Sequence, residues 1–228
     1  MAGNATPALQ ADAARRALFI VFEGIDGSGT TTQSALLVAH IRAMGVDVVH
    51  TREPGGTALG ERIRDVYLDP EVGDLDGMTE MLLCAASRHH HVQTHILPSL
   101  DCHKPVICAR YTASSVAYQG YGRGLCLEDV TVLNQMATMN CRADLTFFLD
   151  LPLAAANKRV QERPINADRM DSEADDFKTR VVDAYRHVAA LEPECSIVVD
   201  GTEPEERIAE KVRSELVTRW PAFPFREQ

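Results

Sequence analysis

The chain has 228 residues, with 23 Lys and Arg against 33 Asp and Glu, giving a formal net charge of -10; this length suits one domain with a sizeable core. The acidic balance excludes a general nucleic-acid or membrane-surface binder and leaves a small anion, held by a local arginine cluster, as the expected partner. No segment reaches the ~20 apolar residues that span a bilayer, and six cysteines without a C-x-x-C pair read as reduced thiols, so a cytoplasmic location is expected.

Residues 1–16 contain Asp12, Arg15, Arg16 and many alanines, and read as a flexible leader without the features of a signal peptide. Leu18 to Phe22 is an apolar run of strand length. Glycines at 24, 27 and 29 follow, and then Thr30, Thr31 and Thr32. Such glycines let several backbone N–H groups converge on one anion, and the helix opened by the threonines adds its positive end. Against the pattern G-x-x-x-x-G-K-S/T, Gly24 and Gly29 are correctly spaced and Thr31 stands where a magnesium-coordinating hydroxyl belongs. Thr30 occupies the lysine position, so the pattern's cation is missing.

A helix is expected from Ser34 to Met44, closed by Gly45. A strand over Val46 to Thr51 leads into REPGGT, a rigid loop presenting Arg52 and Glu53, and a helix follows from about Ala58 to Leu68. Met78 to Leu100 reads as one long helix with Met81, Leu82, Ala85, Val92 and Ile96 inward and Arg88 near its middle. Val106 to Ala109 is a short buried strand ending at Arg110. Helices are expected over Thr112 to Gln119 and Glu128 to Met139, with a break at Gly120 to Gly124. Strand Leu145 to Leu149 precedes a helix opened by Pro152. The charged stretch from Asn157 to Asp171 gives way to a helix over Glu173 to Leu191, then to strand Ile197 to Val199 and a helix from about Pro204 to Arg219. Residues 17–219 thus form one α/β domain. It is a three-layer sandwich of the P-loop NTPase type, with a parallel sheet of about five strands and helices on both faces. Residues 220–228 form a tail whose Trp220, Phe223 and Phe225 pack on the body or on a second subunit.

In such a sheet the ligand lies beyond the carboxyl ends of the strands. The glycine loop, Arg52 and Glu53, Arg110 and the charged segment all fall at that edge, which points to a second, phosphate-bearing substrate facing the loop.

On the segments FEGIDGSG with TTQ, REPGGT, LLCAASRHHHV, RYTASSVAYQGYGRGL, FFLDLPLAAANKR and DRMD, the chain resembles bacterial thymidylate kinases over nearly all of residues 17–217. The resemblance implies transfer of a phosphate from ATP to dTMP, giving dTDP and ADP, with Mg²⁺ at Thr31. It also implies a homodimer. The ATP phosphates would lie on Gly24, Ile25, Asp26, Gly27, Ser28, Gly29, Thr30, Thr31 and Thr32. Arg52, Arg88 and Arg110 would hold the monophosphate, with Glu53 beside them. Ser115 and Gln119 would meet the thymine, Tyr118 would press on the sugar, and Asp26 would sit near the acceptor phosphate.

The chain departs from that pattern at Thr30, at Ala109 in place of an aspartate before Arg110, and at Cys84 in place of an aromatic that stacks on the base. A lid over about residues 158–171 offers Arg159, Arg163 and Arg169, and Arg163 or Arg169 is expected to supply the missing cation to the ATP phosphates, alongside Asp26 as a catalytic residue. Glu23 and Asp26 are the acids that could replace the missing aspartate. Two alternatives remain open: a weak or inactive nucleotide-binding relative, and a kinase for another deoxynucleoside monophosphate. His91 and His95 lie at i, i+4, but no third ligand joins them, so the histidines 89, 90, 91, 95 and 103 are expected to be packed or solvated. Cys84 is expected to pack rather than to do redox chemistry, and the acidic run at 171–176 to favour a helix start.

Overall fold

Five parallel strands in the order β2-β3-β1-β4-β5 form the centre of the chain; they are β1 (Phe19–Glu23), β2 (Val49–Arg52), β3 (Val106–Ala109), β4 (Leu145–Asp150) and β5 (Ser196–Asp200). The structure is a computed structural model and describes residues 17–163 and 168–222. The expected leader, lid residues 164–167 and the last six residues of the tail lie outside the described residues. In register, Phe22 pairs with Ala109 on one side and Phe147 on the other. Arg52 pairs with Ala109, so the ends of β1, β2 and β3 are level. The connections of the adjacent strands β1 and β3 leave in opposite directions, which opens a crevice at their carboxyl ends.

Helices cover both faces. On one, α1 (Thr30–Ala43) and α9 (Glu205–Arg219) seal Ile20, Phe22 and Phe147 under Leu37, Ile41, Val212 and Leu216, with Trp220 against the same cluster. On the other, Phe19, Val21 and Cys108 pack with Val92, Ile96 and Leu100. A third cluster beside the crevice joins Ile25, Tyr118, Phe148, Phe177 and Tyr185.

Helix α1 begins earlier than expected because Thr30 starts it directly at the left-handed Gly29. Strand β2 begins later, since the Val46 N–H turns back to the Ile41 carbonyl. The long helix is real but not uniform. From its Asp76 N-cap, α3 (Gly77–His91) passes through a π turn at Val92–Ile96 into α4 (Leu97–Asp101). Pro98 has no N–H to return to the turn before it, and the wider π spacing sits where that bond is missing. The inner face of α3 is also rotated from the expected one. Met81, Cys84, Arg88 and His91 are buried, while Leu82 is 52% exposed.

The helix α5 (Thr112–Ser115) likewise continues as a π helix over Val116–Gly122. It outlasts the expected break at Gly120 and ends at Gly122, and the chain then turns at Gly124, where φ is +76°. α6 (Leu127–Thr138), α7 (Leu153–Gln161) and α8 (Asp175–Leu191) follow; Asp175 and Asp176 occupy the first turn of α8, where carboxylates favour the helix dipole. α2 (Ala58–Leu68) flanks the crevice opposite α5.

Candidate active site

The glycine loop leaves β1 through Gly24, where a Cβ would lie 2.5 Å from Ser28 Oγ and 2.9 Å from the Leu149 carbonyl. Only glycine admits that approach. Gly27 is crossed closely by the Ala156 carbonyl, and Ile25 anchors the loop in the apolar cluster under the crevice. Arg159 braces the loop from α7, donating Nη1 to the Gly27 carbonyl at 3.3 Å and Nη2 to the Gly201 carbonyl at 2.9 Å. Ser28 Oγ is buried without a hydrogen-bond partner among the described residues. Thr30 is buried in the first turn of α1, Thr31 beside it is exposed, and Thr32 is half-buried.

Glu23, the last residue of β1, is fully buried. Its Oε1 accepts from the N–H groups of Tyr111 and Ser114 at 2.7 and 3.2 Å; its Oε2 accepts from Ser114 Oγ at 2.6 Å and Tyr185 Oη at 3.3 Å. Burial raises its pKa, and the Ser114 hydroxyl and the Arg110 charge offset only part of that rise. Both oxygens are engaged in these bonds, which fasten the start of α5 and Tyr185 of α8 to the end of β1.

A cavity opens between this loop, α2, α3 and α5. At one end Arg110 Nη2 donates to Asp26 Oδ1 at 2.7 Å, and Tyr118 Oη donates to Asp26 Oδ2 at 2.7 Å. Arg110 itself has φ +70°, a strained value for a side-chain-bearing residue, and its guanidinium lies 5.5 Å over the Tyr118 ring. Burial pushes the Asp26 carboxyl up, but Arg110, the Tyr118 hydroxyl, Arg163 and Arg64 together hold it below the ordinary aspartate value. Arg64 also lines this end, donating to the Pro54 carbonyl at 3.1 Å. Its pKa is lowered first by burial and then by the charges of Arg52 and Arg110. A guanidinium depressed by its neighbours' positive charge marks a site that an anion relieves.

At the other end, Arg88 is 3% exposed. Its Nε donates to Glu53 Oε2 at 2.6 Å, Nη1 to Ser115 Oγ and Asn134 Oδ1 at 3.0 and 2.6 Å, and Nη2 to the Tyr111 carbonyl at 2.9 Å. Glu53 Oε1 meets His91 Nδ1 at 3.0 Å, and His91 Nε2 meets Thr51 Oγ1 at 2.6 Å. Burial works against the Glu53 charge, yet Arg88 and His91 bring its pKa below the usual glutamate value. Gln119 Nε2 donates to Tyr67 Oη and Glu80 Oε2, each at 3.1 Å. Cys84 lines the same end, its thiol pushed up to about 12, chiefly by burial. It is a packing residue, as expected.

The geometry places three of the expected arginines as follows. Arg52 is outside the cavity lining and pairs with Glu61 at 2.8 Å. Arg88, expected on the monophosphate, is tied to Ser115 and so sits with the residue expected at the base. Arg169, expected on the ATP phosphates, is buried with Nη1 on Glu80 Oε1 at 2.6 Å and Nε on the Tyr67 carbonyl at 3.0 Å. Arg163, by contrast, is exposed and near enough to lower Asp26.

A sequence model of the family described as Thymidylate kinase matches residues 22–212. The chain belongs to the thymidylate kinase family. It is 45% identical over 190 residues to the thymidylate kinase of Pelotomaculum thermopropionicum, covering 83% of this chain and 88% of that one. To the thymidylate kinase of Clavibacter michiganensis subsp. michiganensis it is 44% identical over 197 residues, covering 86% and 93%. The crystal structure of thymidylate kinase from Ehrlichia chaffeensis superposes with a TM-score of 0.73 at 34% identity, covering 88% of this chain and 98% of that one. The α/β architecture with its phosphate loop, and assignment to the nucleoside monophosphate kinases, follow from this membership.

Within the thymidylate kinase frame, residues not expected from sequence include Arg64, Tyr67 and Asp168, which line the cavity, and Glu80, which lies behind Gln119. Arg64 and Tyr67 share one face of α2 with Gly60, at offsets of four and three residues. That helical spacing was present in the sequence, but it carries no motif. Glu80 is fully buried at the start of α3 and had no apolar-phase signal at all. Among the described residues, no group of three or more His, Cys, Asp or Glu side chains is arranged to hold a metal, and the His91 and His95 rings simply stack at 5.8 Å.

Proposed function

We propose that this chain transfers the terminal phosphoryl group of ATP to dTMP, with ATP on the glycine loop and dTMP in the cavity. The observation that carries this reading is the position of Asp26. It belongs to the loop, lines the cavity and binds Arg110, so donor and acceptor phosphates meet across one side chain. Phosphoryl transfer asks chiefly for two anions brought into line and for neutralised charge on the group in transit.

Arg110 and Arg64 hold the acceptor phosphate, and Asp26 orients Arg110. Arg88, Ser115 and Gln119 form the base end, while Tyr118, held by Asp26, faces the sugar. The loop from Gly24 to Thr32 receives the donor phosphates on its N–H groups, with the buried, unpartnered Ser28 Oγ as a further donor. Thr31, exposed on the first turn of α1, fits as the hydroxyl that holds Mg²⁺. When bound, that ion neutralises phosphate charge. Arg163 supplies the side-chain cation that Thr30 does not. A coupled assay with ATP, Mg²⁺ and dTMP tests the reading. Turnover equal to that of heat-killed protein, with tight nucleotide binding by calorimetry, would assign the chain instead to binding without catalysis.

The protein is also read as a cytoplasmic homodimer. Among the described residues no helix is long and apolar enough to cross a membrane. Leu59 and Val66 on α2, Leu82 on α3, and Val132 and Met136 on α6 are exposed. α2 packs on α3 and α3 on α6, so these side chains lie on one run of adjacent helices suited to a second copy. Sedimentation of Leu82→Glu and Met136→Glu should give monomers; a monomeric unmodified protein would remove the dimer.

A further inference from the structure

We propose that Glu80 is a positioning residue that sets base specificity, by fixing which end of the Gln119 amide faces the acceptor base. Glu80 is fully buried. Its Oε1 accepts from Arg123 Nη2 and Arg169 Nη1 at 2.7 and 2.6 Å. Its Oε2 accepts from Arg123 Nε and Gln119 Nε2, each at 3.1 Å. Guanidinium groups only donate, so both carboxylate oxygens act as acceptors and the amide must turn its nitrogen toward Glu80. The second N–H of that nitrogen goes to Tyr67 Oη at 3.1 Å. With Nε2 pinned twice, Gln119 Oε1 is left on the other side of the amide, and no donor meets it among the described residues.

The base end of the cavity therefore carries a fixed polarity: the one N–H of Arg88, on Nη2, that its four protein bonds leave uncommitted, and an acceptor on Gln119. Thymine and uracil present a carbonyl O4 beside a ring N3–H, which matches that order. Cytosine presents an amino group beside a bare N3, which opposes it at both atoms. A polar site that leaves its buried groups unpaired against the wrong ligand discriminates far more strongly than an apolar pocket. Were the pin released, the amide could rotate and offer Nε2 to the bare N3. The idea rests on the assignment of Gln119 to the base made above.

The test is the ratio of kcat/KM for dTMP to kcat/KM for dCMP, a quantity that a general loss of folding or activity does not move. Glu80→Gln replaces the obligate acceptor with a group that donates as well as accepts, and should lower the ratio by about tenfold or more. Tyr67→Phe removes the other anchor without altering any charge and should lower it by about threefold. Should Glu80→Gln fail to fold, Tyr67→Phe decides alone. Gln119→Ala serves as the control for the underlying assignment. If Gln119→Ala lowers the ratio while both pin variants keep it within about twofold of the unmodified enzyme, the role of Glu80 is overturned and the base assignment stands. If Gln119→Ala leaves the ratio unchanged, the base assignment itself falls and this inference falls with it.

Discussion

Asp26 of the glycine loop and Arg110 at the end of β3 are joined by a 2.7 Å charge-assisted hydrogen bond. In the proposed function, the loop that receives the donor is thereby fixed to the arginine that receives the acceptor. Groups that act as a unit give non-additive losses. Asp26→Asn and Arg110→Ala should each lower kcat/KM for dTMP by about 10²-fold or more. The double variant should lose less than the product of the two, with a coupling of about 1–3 kcal/mol. Steady-state kinetics on the four proteins of the cycle checks this, and strictly multiplicative losses would separate the two residues.

Glu53 gives a prediction about stability. Removing its charge leaves Arg88 buried with its Nε partner neutral, and breaking such a pair costs about 3–5 kcal/mol. Glu53→Gln should lower the unfolding free energy by that order in urea at neutral pH. The sign of the pH dependence follows from the lowered pKa of Glu53 in the folded protein. Its contribution is present above the unfolded glutamate pKa of about 4.3 and is lost as pH falls through the lower folded value. The gap between the two proteins should therefore hold from pH 5 to 8, as an approximate window, and shrink in more acid solution. A gap that widens on acidification would contradict the assignment.

Cys84 fills the place where the family resemblance expects an aromatic ring, and it lines the cavity. A stacking contact on a base contributes about 1–3 kcal/mol. Cys84→Phe should lower KM for dTMP by about tenfold or more, and the unmodified enzyme should discriminate only weakly between dTMP and dUMP, which share the O4 and N3–H edge. Specificity constants for dTMP and dUMP decide the matter. A lead for dTMP over dUMP of several orders of magnitude in the unmodified enzyme would show that a ring is not required.

The fold was legible because each of its devices is local. Apolar runs of strand length, the glycines at 24 and 29, Pro152 and Gly45 each act over a few residues, and together they dictate alternating strands and helices. The edge at which Arg110 and the glycine loop meet followed from the parallel sheet alone. The direction of long side chains was not legible. Arg52, Arg88 and Arg169 read alike in sequence, yet the first turns outward to Glu61, the second is enclosed by Glu53, Ser115 and Asn134, and the third by Glu80 and Tyr67. Their partners are 9 to 102 residues away, and the buried acids that claim them carry no periodic signal. The phase of α3 failed for the same reason, since its buried face includes Glu80 and Arg88 and an apolar pattern does not count those positions.

The lid arginines yield the last prediction. Thr30 is a buried hydroxyl in the first turn of α1 and offers no charge to the donor phosphates. Arg159 is spent on the Gly27 and Gly201 carbonyls, and Arg169 on Glu80. Arg163 is exposed just beyond α7 and close enough for its charge to act on Asp26, so among the described lid arginines it is the one that the proposed function sends to the phosphates. An arginine on the transferring group is worth about 10³ to 10⁵ in rate in related chemistry. Arg163→Ala should therefore lower kcat by about 10²-fold or more with little change in KM for dTMP. Arg169→Ala should instead act through stability and KM, because its loss leaves Glu80 with fewer donors. Thr30→Lys should then restore part of the turnover of Arg163→Ala while adding little to the unmodified enzyme. If Thr30→Lys raises unmodified turnover strongly and Arg163→Ala leaves it intact, the lid does not supply the cation, and Thr30 marks a phosphate loop that works below its capacity.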